Sequence, residues 1–159
     1  MTKNHNFYLD LAYQLAEKNL GKTGLNPSVG AIVVKDGAIV SSGSTSINGR
    51  PHAEFNALNN LRNSSKATLY TTLEPCIHYG KTPPCTDIII KKKIKKVFFG
   101  NFDLDIRSFK KAQLILNKKG IAVKKIRTEN YKNFYKGYFL NKKFNIPFIS
   151  AKLALSKDF

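Results

Sequence analysis

Pro51-His52-Ala53-Glu54, Leu73-Glu74-Pro75-Cys76 and Pro83-Pro84-Cys85 bring together one imidazole, two thiols and a nearby carboxyl group. Zinc favours tetrahedral nitrogen and sulfur ligands, and a catalytic site keeps its fourth position for water, whose pKa falls to about 7 beside the metal. His52, Cys76 and Cys85 make three ligands, which is the catalytic count. Glu54 stands two residues beyond His52, far enough along a first helical turn to face that water rather than the metal. A carboxyl group there can act first as base and then as acid, a service worth about 10²–10⁴-fold in rate.

Each fragment alone is weak, since His-x-Glu is commonly an ordinary helix start and a free cysteine commonly a small buried hydrophobe. Their combination and order are what count. His-x-Glu followed by Pro-Cys-x-x-Cys is the signature of zinc-dependent base deaminases, and here the first half matches while the gap between the cysteines is longer. Cys76 and Cys85 are the only cysteines, so a metal or catalytic role fits better than a disulfide framework. His52 and Cys76 are both expected at helix starts, where unpaired N–H groups favour a thiolate. A proline before each ligand restricts the approach of the chain.

These side chains need a scaffold, and the patterning supplies one. Phe7, Leu11 and Leu15 recur at helical spacing in residues 6–19, before Gly21. Two apolar runs, 31–35 and 38–41, flank Asp36-Gly37, a dipeptide suited to a hairpin turn. Helix then alternates with strand: helix 53–62, strand 68–72, helix 86–92, strand 96–100, helix 108–118 and strand 121–124. A further helix is expected over 128–140, burying Tyr131, Phe134, Tyr135 and Tyr138, with a last apolar stretch at 148–155. The alternation predicts an α/β fold, a three-layer α-β-α sandwich with a mixed, mostly parallel central sheet.

At 159 residues the chain suits one domain, and it has no run near the roughly 18 apolar residues of a membrane span. Its N-terminus lacks an apolar signal core, so a cytoplasmic protein is expected. The net charge of +17 comes from 27 basic residues against ten acidic ones. Such an excess can serve a nucleic-acid partner or steer a phosphorylated small substrate. The plainer account is a lysine-rich solvated surface, because 23 of the basic residues are lysines and the chain also carries 15 asparagines.

Three segments resemble the deaminase domain of the bifunctional riboflavin-biosynthesis proteins, the diaminohydroxyphosphoribosylaminopyrimidine deaminases of the cytidine deaminase-like superfamily. They are Asn26-Pro27-Ser28-Val29-Gly30-Ala31, Gly49-Arg50-Pro51-His52-Ala53-Glu54 and the run from Ala67 through Glu74-Pro75-Cys76 to Pro84-Cys85. Eight residues separate the cysteines, including His78, Gly80, Lys81 and Thr82, and this spacing argues against the nucleic-acid branch of the superfamily. The resemblance implies hydrolytic deamination of a diaminopyrimidinone carrying ribosylamine phosphate, giving the pyrimidinedione and ammonia.

Position by position, it implies zinc ligands His52, Cys76 and Cys85, one zinc per chain, and Glu54 as proton shuttle. Substrate contacts are implied at Asn26, His78, Lys81, Asp103 and Asp105. The two aspartates stand where the family has Asp-Pro-Asn/Asp-Pro, but Leu104 and Ile106 replace both prolines, and Ser108-Phe109-Lys110-Lys111-Ala112 replaces a glycine-rich continuation. Thr45 stands where many relatives have histidine.

Residues 1–145 are read as the deaminase domain, and 146–159 as a tail or the opening strand of the family's nicotinamide-dependent reductase domain. Hence no cofactor-binding residues, no NADPH use and no reductase activity are expected of this chain. A phosphorylated small molecule is the expected partner, with a homo-oligomer and a separate reductase left open and no membrane involved. Two other readings compete: a nucleoside or nucleic-acid base deaminase, and a zinc-stabilised binding domain whose turnover has been lost.

Overall fold

The computed structural model describes residues 5–129 and 131–156. α1 (His5–Glu17) buries Leu9, Ala12, Tyr13 and Ala16, a stripe at helical spacing. This is not the stripe expected from Phe7, Leu11 and Leu15: Phe7 is 52% exposed, and the two leucines are only partly buried. The reason lies at Gly30, where an added Cβ would stand 1.8 Å from the Ala12 carbonyl oxygen. Backbone contact that close selects small residues on the helix, and Ala12 and Ala16 provide them.

β1 (Gly30–Lys35) and β2 (Ala38–Ser44) form the hairpin, turning through Asp36 and Gly37 at φ of 50° and 85°. Positive φ at both central residues matches the right-handed twist of the strands. β3 (Thr68–Leu73), β4 (Lys96–Asn101) and β5 (Ala122–Lys125) complete a sheet of order β2-β1-β3-β4-β5. β1 is antiparallel to β2 and β3, while β3, β4 and β5 run parallel.

The parallel strands require crossovers, and α3 (Cys85–Lys91) and α4 (Ala112–Lys118) supply them. With α2 (Ala53–Leu58), these helices bury Ala57, Leu58, Ile89 and Leu116 against the strand side chains Val33, Leu69, Val97 and Phe99. Alternate residues Ile32, Val34 and Tyr70 meet α1 on the other face. Helix, sheet and helix therefore form three layers. Among the described residues no helix is long and apolar enough to cross a membrane.

Several boundaries depart from the sequence expectation. α2 ends at Leu58 rather than at 62, where Asn59, Asn60 and Asn63 offer side chains that compete with the helical backbone. α4 begins at Ala112 instead of 108, because the preceding turn is held by a remote carboxylate described below. The last helix, α5 (Lys136–Phe144), starts eight residues later than expected. Residues 131–135 instead form turns that stack Tyr131 on Tyr13 at 4.1 Å and send the Tyr135 hydroxyl to the Ser28 carbonyl. Asn145, in the left-handed conformation at φ 55°, ends α5.

Residues 146–156 form no strand, and Ile149 and Leu153 are about four-fifths exposed. Residues 157–159 of the expected tail lie outside the described residues.

Candidate active site

The candidate ligands converge beyond the carboxyl ends of β3 and β4, where open α/β sheets place ligands. His52 is the N-cap residue of α2, in extended conformation. Cys76 follows β3 in a loop and does not begin a helix, contrary to expectation; Cys85 does, as the first residue of α3. The Cys85 backbone N–H donates to Cys76 Sγ at 3.2 Å, so the loop end and the helix start are tied through the sulfur itself.

His52 Nδ1 lies 3.6 Å from Cys76 Sγ and 3.4 Å from Cys85 Sγ. The three donor atoms all fall within 4.8 Å of one another. Zinc bonds of about 2.3 Å to sulfur and about 2.05 Å to nitrogen, opened to the tetrahedral angle, separate the two donors by about 3.6 Å. The spacing and the donor set therefore suit a zinc ion, with no rearrangement of the chain required.

Cys76 is drawn down to about 4, chiefly by the hydrogen bond from Cys85 and further by His52, while burial opposes the shift. Cys85, the donor in that bond and itself buried, is pushed well above the usual thiol range. Glu54, in the first turn of α2, is 4% exposed. Burial, reinforced by the neighbouring Cys76 charge, pushes its carboxyl up to about 7, and His52 pulls the other way. A carboxyl group balanced between its two states is suited to taking and returning a proton.

His52, Glu54 and Cys76 line a cleft of about 110 Å³ that also contains Asn26, Thr45 and His78. Asn26 Nδ2 donates to the Gly49 carbonyl at 3.0 Å, which fixes the amide on the wall of the cleft. Thr45 is buried and exchanges hydrogen bonds with Val29, its Oγ1 accepting from the Val29 N–H at 3.0 Å. His78 Nδ1 is 3.1 Å from Ser108 Oγ, which fixes the ring toward the β4–α4 connection.

Asp103 and Asp105 are both buried and line the same cleft. Lys81 is exposed and is not among its lining residues.

Among the lining residues, Arg50, Arg107 and Lys142 had no role assigned from the sequence, and Tyr138 had only a packing one. Arg50 adjoins the Pro51-His52 run and donates to Thr82 Oγ1 in the loop between the cysteines, so its place in the motif was a usable signal. Arg107, Tyr138 and Lys142 gave none, because they meet only when α5 folds across the loop after β4.

Glu74, buried at 2% exposure, is a further unassigned residue. Its two carboxylate oxygens accept the backbone N–H groups of Lys110 and Ala112 at 3.0 and 3.1 Å. It caps α4 from a distance and holds the turn that carries Ser108.

The sequence matches the cytidine and deoxycytidylate deaminase zinc-binding region over residues 2–101. The riboflavin biosynthesis protein RibD of Aquifex aeolicus is 53% identical over 97 residues, covering 60% of this chain and 27% of that protein. A diaminohydroxyphosphoribosylamino-pyrimidine deaminase of Buchnera aphidicola (subsp. Schizaphis graminum) is 39% identical over 143 residues, covering 89% of this chain and 97% of the relative.

Among solved structures, a diaminohydroxyphosphoribosylaminopyrimidine deaminase/uracil reductase of Thermotoga maritima superposes with a TM-score of 0.85 at 38% identity, covering 91% of this chain and 42% of that one. This chain thus spans less than half the length of the Aquifex and Thermotoga proteins and nearly all of the Buchnera relative.

Proposed function

Because this chain belongs to the cytidine and deoxycytidylate deaminase zinc-binding family, and within it to the diaminohydroxyphosphoribosylaminopyrimidine deaminases, we propose that it hydrolyses the exocyclic 2-amino group of a phosphoribosylated diaminopyrimidinone in riboflavin biosynthesis. The observation that carries this reading is the meeting of His52, Cys76 and Cys85 beside the buried carboxyl of Glu54. His52 Nδ1 and the two sulfurs would hold one zinc ion per chain. Zinc in such a site supplies Lewis acidity, bringing the pKa of a coordinated water to about 7.

Glu54 takes a proton from the attacking water as its oxygen bonds to the ring carbon, and delivers that proton to the adjacent ring nitrogen. The tetrahedral centre then carries a hydroxyl and the amine. Glu54 moves the hydroxyl proton to the amine, the carbon–nitrogen bond breaks, and ammonia leaves behind a carbonyl. One carboxyl group serves both transfers, which is why its ability to hold a proton near neutrality matters. Asn26 and His78 contact the substrate, Asn26 through its amide oxygen.

Residues 1–145 are assigned to the deaminase unit, which carries the hydrolytic step alone. The two free cysteines accord with a reducing cytoplasm. Zinc-loaded protein should release ammonia from the phosphoribosyl diaminopyrimidine, and failure to do so while retaining bound zinc would overturn the assignment.

A further inference from the structure

Asp103 and Asp105 hold a place suited to sugar hydroxyls, yet most of their hydrogen-bonding capacity is already spent within the protein. Asp103 Oδ1 accepts the Asp105 backbone N–H at 3.0 Å and the Tyr138 hydroxyl at 2.9 Å. Asp105 Oδ1 accepts Arg107 Nε at 2.8 Å and the Arg107 backbone N–H at 3.1 Å. Its Oδ2 accepts Arg107 Nη2 at 2.5 Å and Lys142 Nζ at 3.4 Å. One buried carboxylate thus holds a guanidinium and an ammonium side by side on the wall of the cleft.

Both cations keep unused donors. A guanidinium has five N–H groups, and Arg107 spends two on Asp105; Lys142 spends one of three. Their side chains are 55% and 32% exposed, against 9% for Asp105, so the cations face the open part of the cleft. Tyr138 and Lys142 stand one turn apart on α5 and reach the two aspartates from the same side of the helix. Arg50 lines the same cleft, anchored to Thr82. Lys81, the obvious cation in the sequence, lies outside it.

We infer that Arg107 and Lys142 are the phosphate-binding pair of this cleft, and that Asp105 is a positioning residue which aims them rather than a direct ligand of the sugar. A guanidinium fork matches two phosphate oxygens, and an adjacent ammonium adds a point charge. The inference rests on the deaminase reading for the identity of the substrate, but the anion subsite can be measured apart from turnover.

Calorimetric titration of the zinc-loaded full chain with ribose 5-phosphate, and with ribose as the control, reads it directly. Ribose 5-phosphate should bind and ribose should not, with affinity falling as salt is raised. Arg107→Gln and Lys142→Gln should each weaken binding by about 10- to 100-fold, the worth of a charged hydrogen bond. Arg107→Lys should lie between wild type and the glutamine variant. Equal affinity for ribose and ribose 5-phosphate, or unchanged binding in the Arg107→Gln/Lys142→Gln double variant, would overturn the inference.

For Asp105 the test is kinetic. Asp105→Asn should raise KM for the phosphorylated pyrimidine while leaving kcat within about twofold, and should leave KM for the dephosphorylated analogue unchanged. A fall in kcat on both substrates would mark Asp105 as merely structural and sink its positioning role. Protein that binds ribose 5-phosphate through Arg107 and Lys142 but releases no ammonia refutes the deamination reading alone. Protein that deaminates with both cations replaced at no cost refutes this inference alone.

Discussion

The buried end of the cleft is assembled from two short stretches of chain, residues 52–54 and 76–85, whereas its solvent end joins residues 103–107 to α5, about thirty positions further along. At the buried end each donor is fixed by the backbone that immediately precedes it: His52 caps α2, and Cys76 and Cys85 are bound to one another through sulfur and N–H. At the solvent end Tyr138 packs on Tyr135 and Phe139, and Lys142 lies over the Tyr138 ring, while the polar tips of both reach residues distant in sequence, Asp103 and Asp105. The difference teaches that the candidate ligand set is encoded locally here, while the charged wall opposite it is assembled by tertiary packing.

Four perturbations sharpen this contrast, taken from the largest expected effect downward. Cys85→Ala should abolish zinc retention and activity together, because two remaining ligands cannot close the site; metal analysis after dialysis and an ammonia assay check it. Glu54→Gln should keep zinc and fold but lose about 10²–10⁴-fold in kcat, since the amide cannot accept the proton. Near-normal turnover in that variant would remove Glu54 from the mechanism.

Glu74→Gln comes next. An amide presents one acceptor where the carboxylate presents two, so either the Lys110 or the Ala112 N–H loses its partner, at about 1–3 kcal/mol by denaturant unfolding. Because the same turn carries Ser108 and hence His78, KM should rise more than kcat falls.

The smallest effect concerns pH. The Arg107 guanidinium holds Asp105 well below the usual carboxylate range. A depressed folded-state pKa adds stability that is complete above the unfolded value of about 3.9 and is lost as pH falls through the folded value. Wild type should therefore exceed Asp105→Asn in stability at neutral pH by a small margin, given the half-exposed arginine, and the gap should close in strong acid. A gap that widens in acid would contradict the pairing.

The sequence disclosed the buried end because its signals are contiguous: His52-Ala53-Glu54, a proline before each cysteine, and the Asp36-Gly37 turn that sets the hairpin. It was less informative wherever a distant group decides. The start of α4 is set by Glu74 rather than by any residue near 108, and the late start of α5 by aromatic stacking on Tyr13. Lys81 stands out in the sequence from its place between the cysteines, whereas the cations that line the cleft, Arg50, Arg107 and Lys142, are scattered along the chain. On α1, helical spacing identified the element while the close approach of Gly30 chose its buried face.

None of the residues of α5 is fully buried, and the segment is moored at its start by Tyr135 and along its length by Tyr138 and Lys142. Docking of this helix and occupancy of the cleft are consequently two sides of one equilibrium. An anion that recruits Lys142 adds a tether to α5, and anything that frays α5 lowers the affinity for the anion by the same free energy. The C-terminal helix is in this sense a gauge of saturation, whose amide exchange should slow as ligand accumulates.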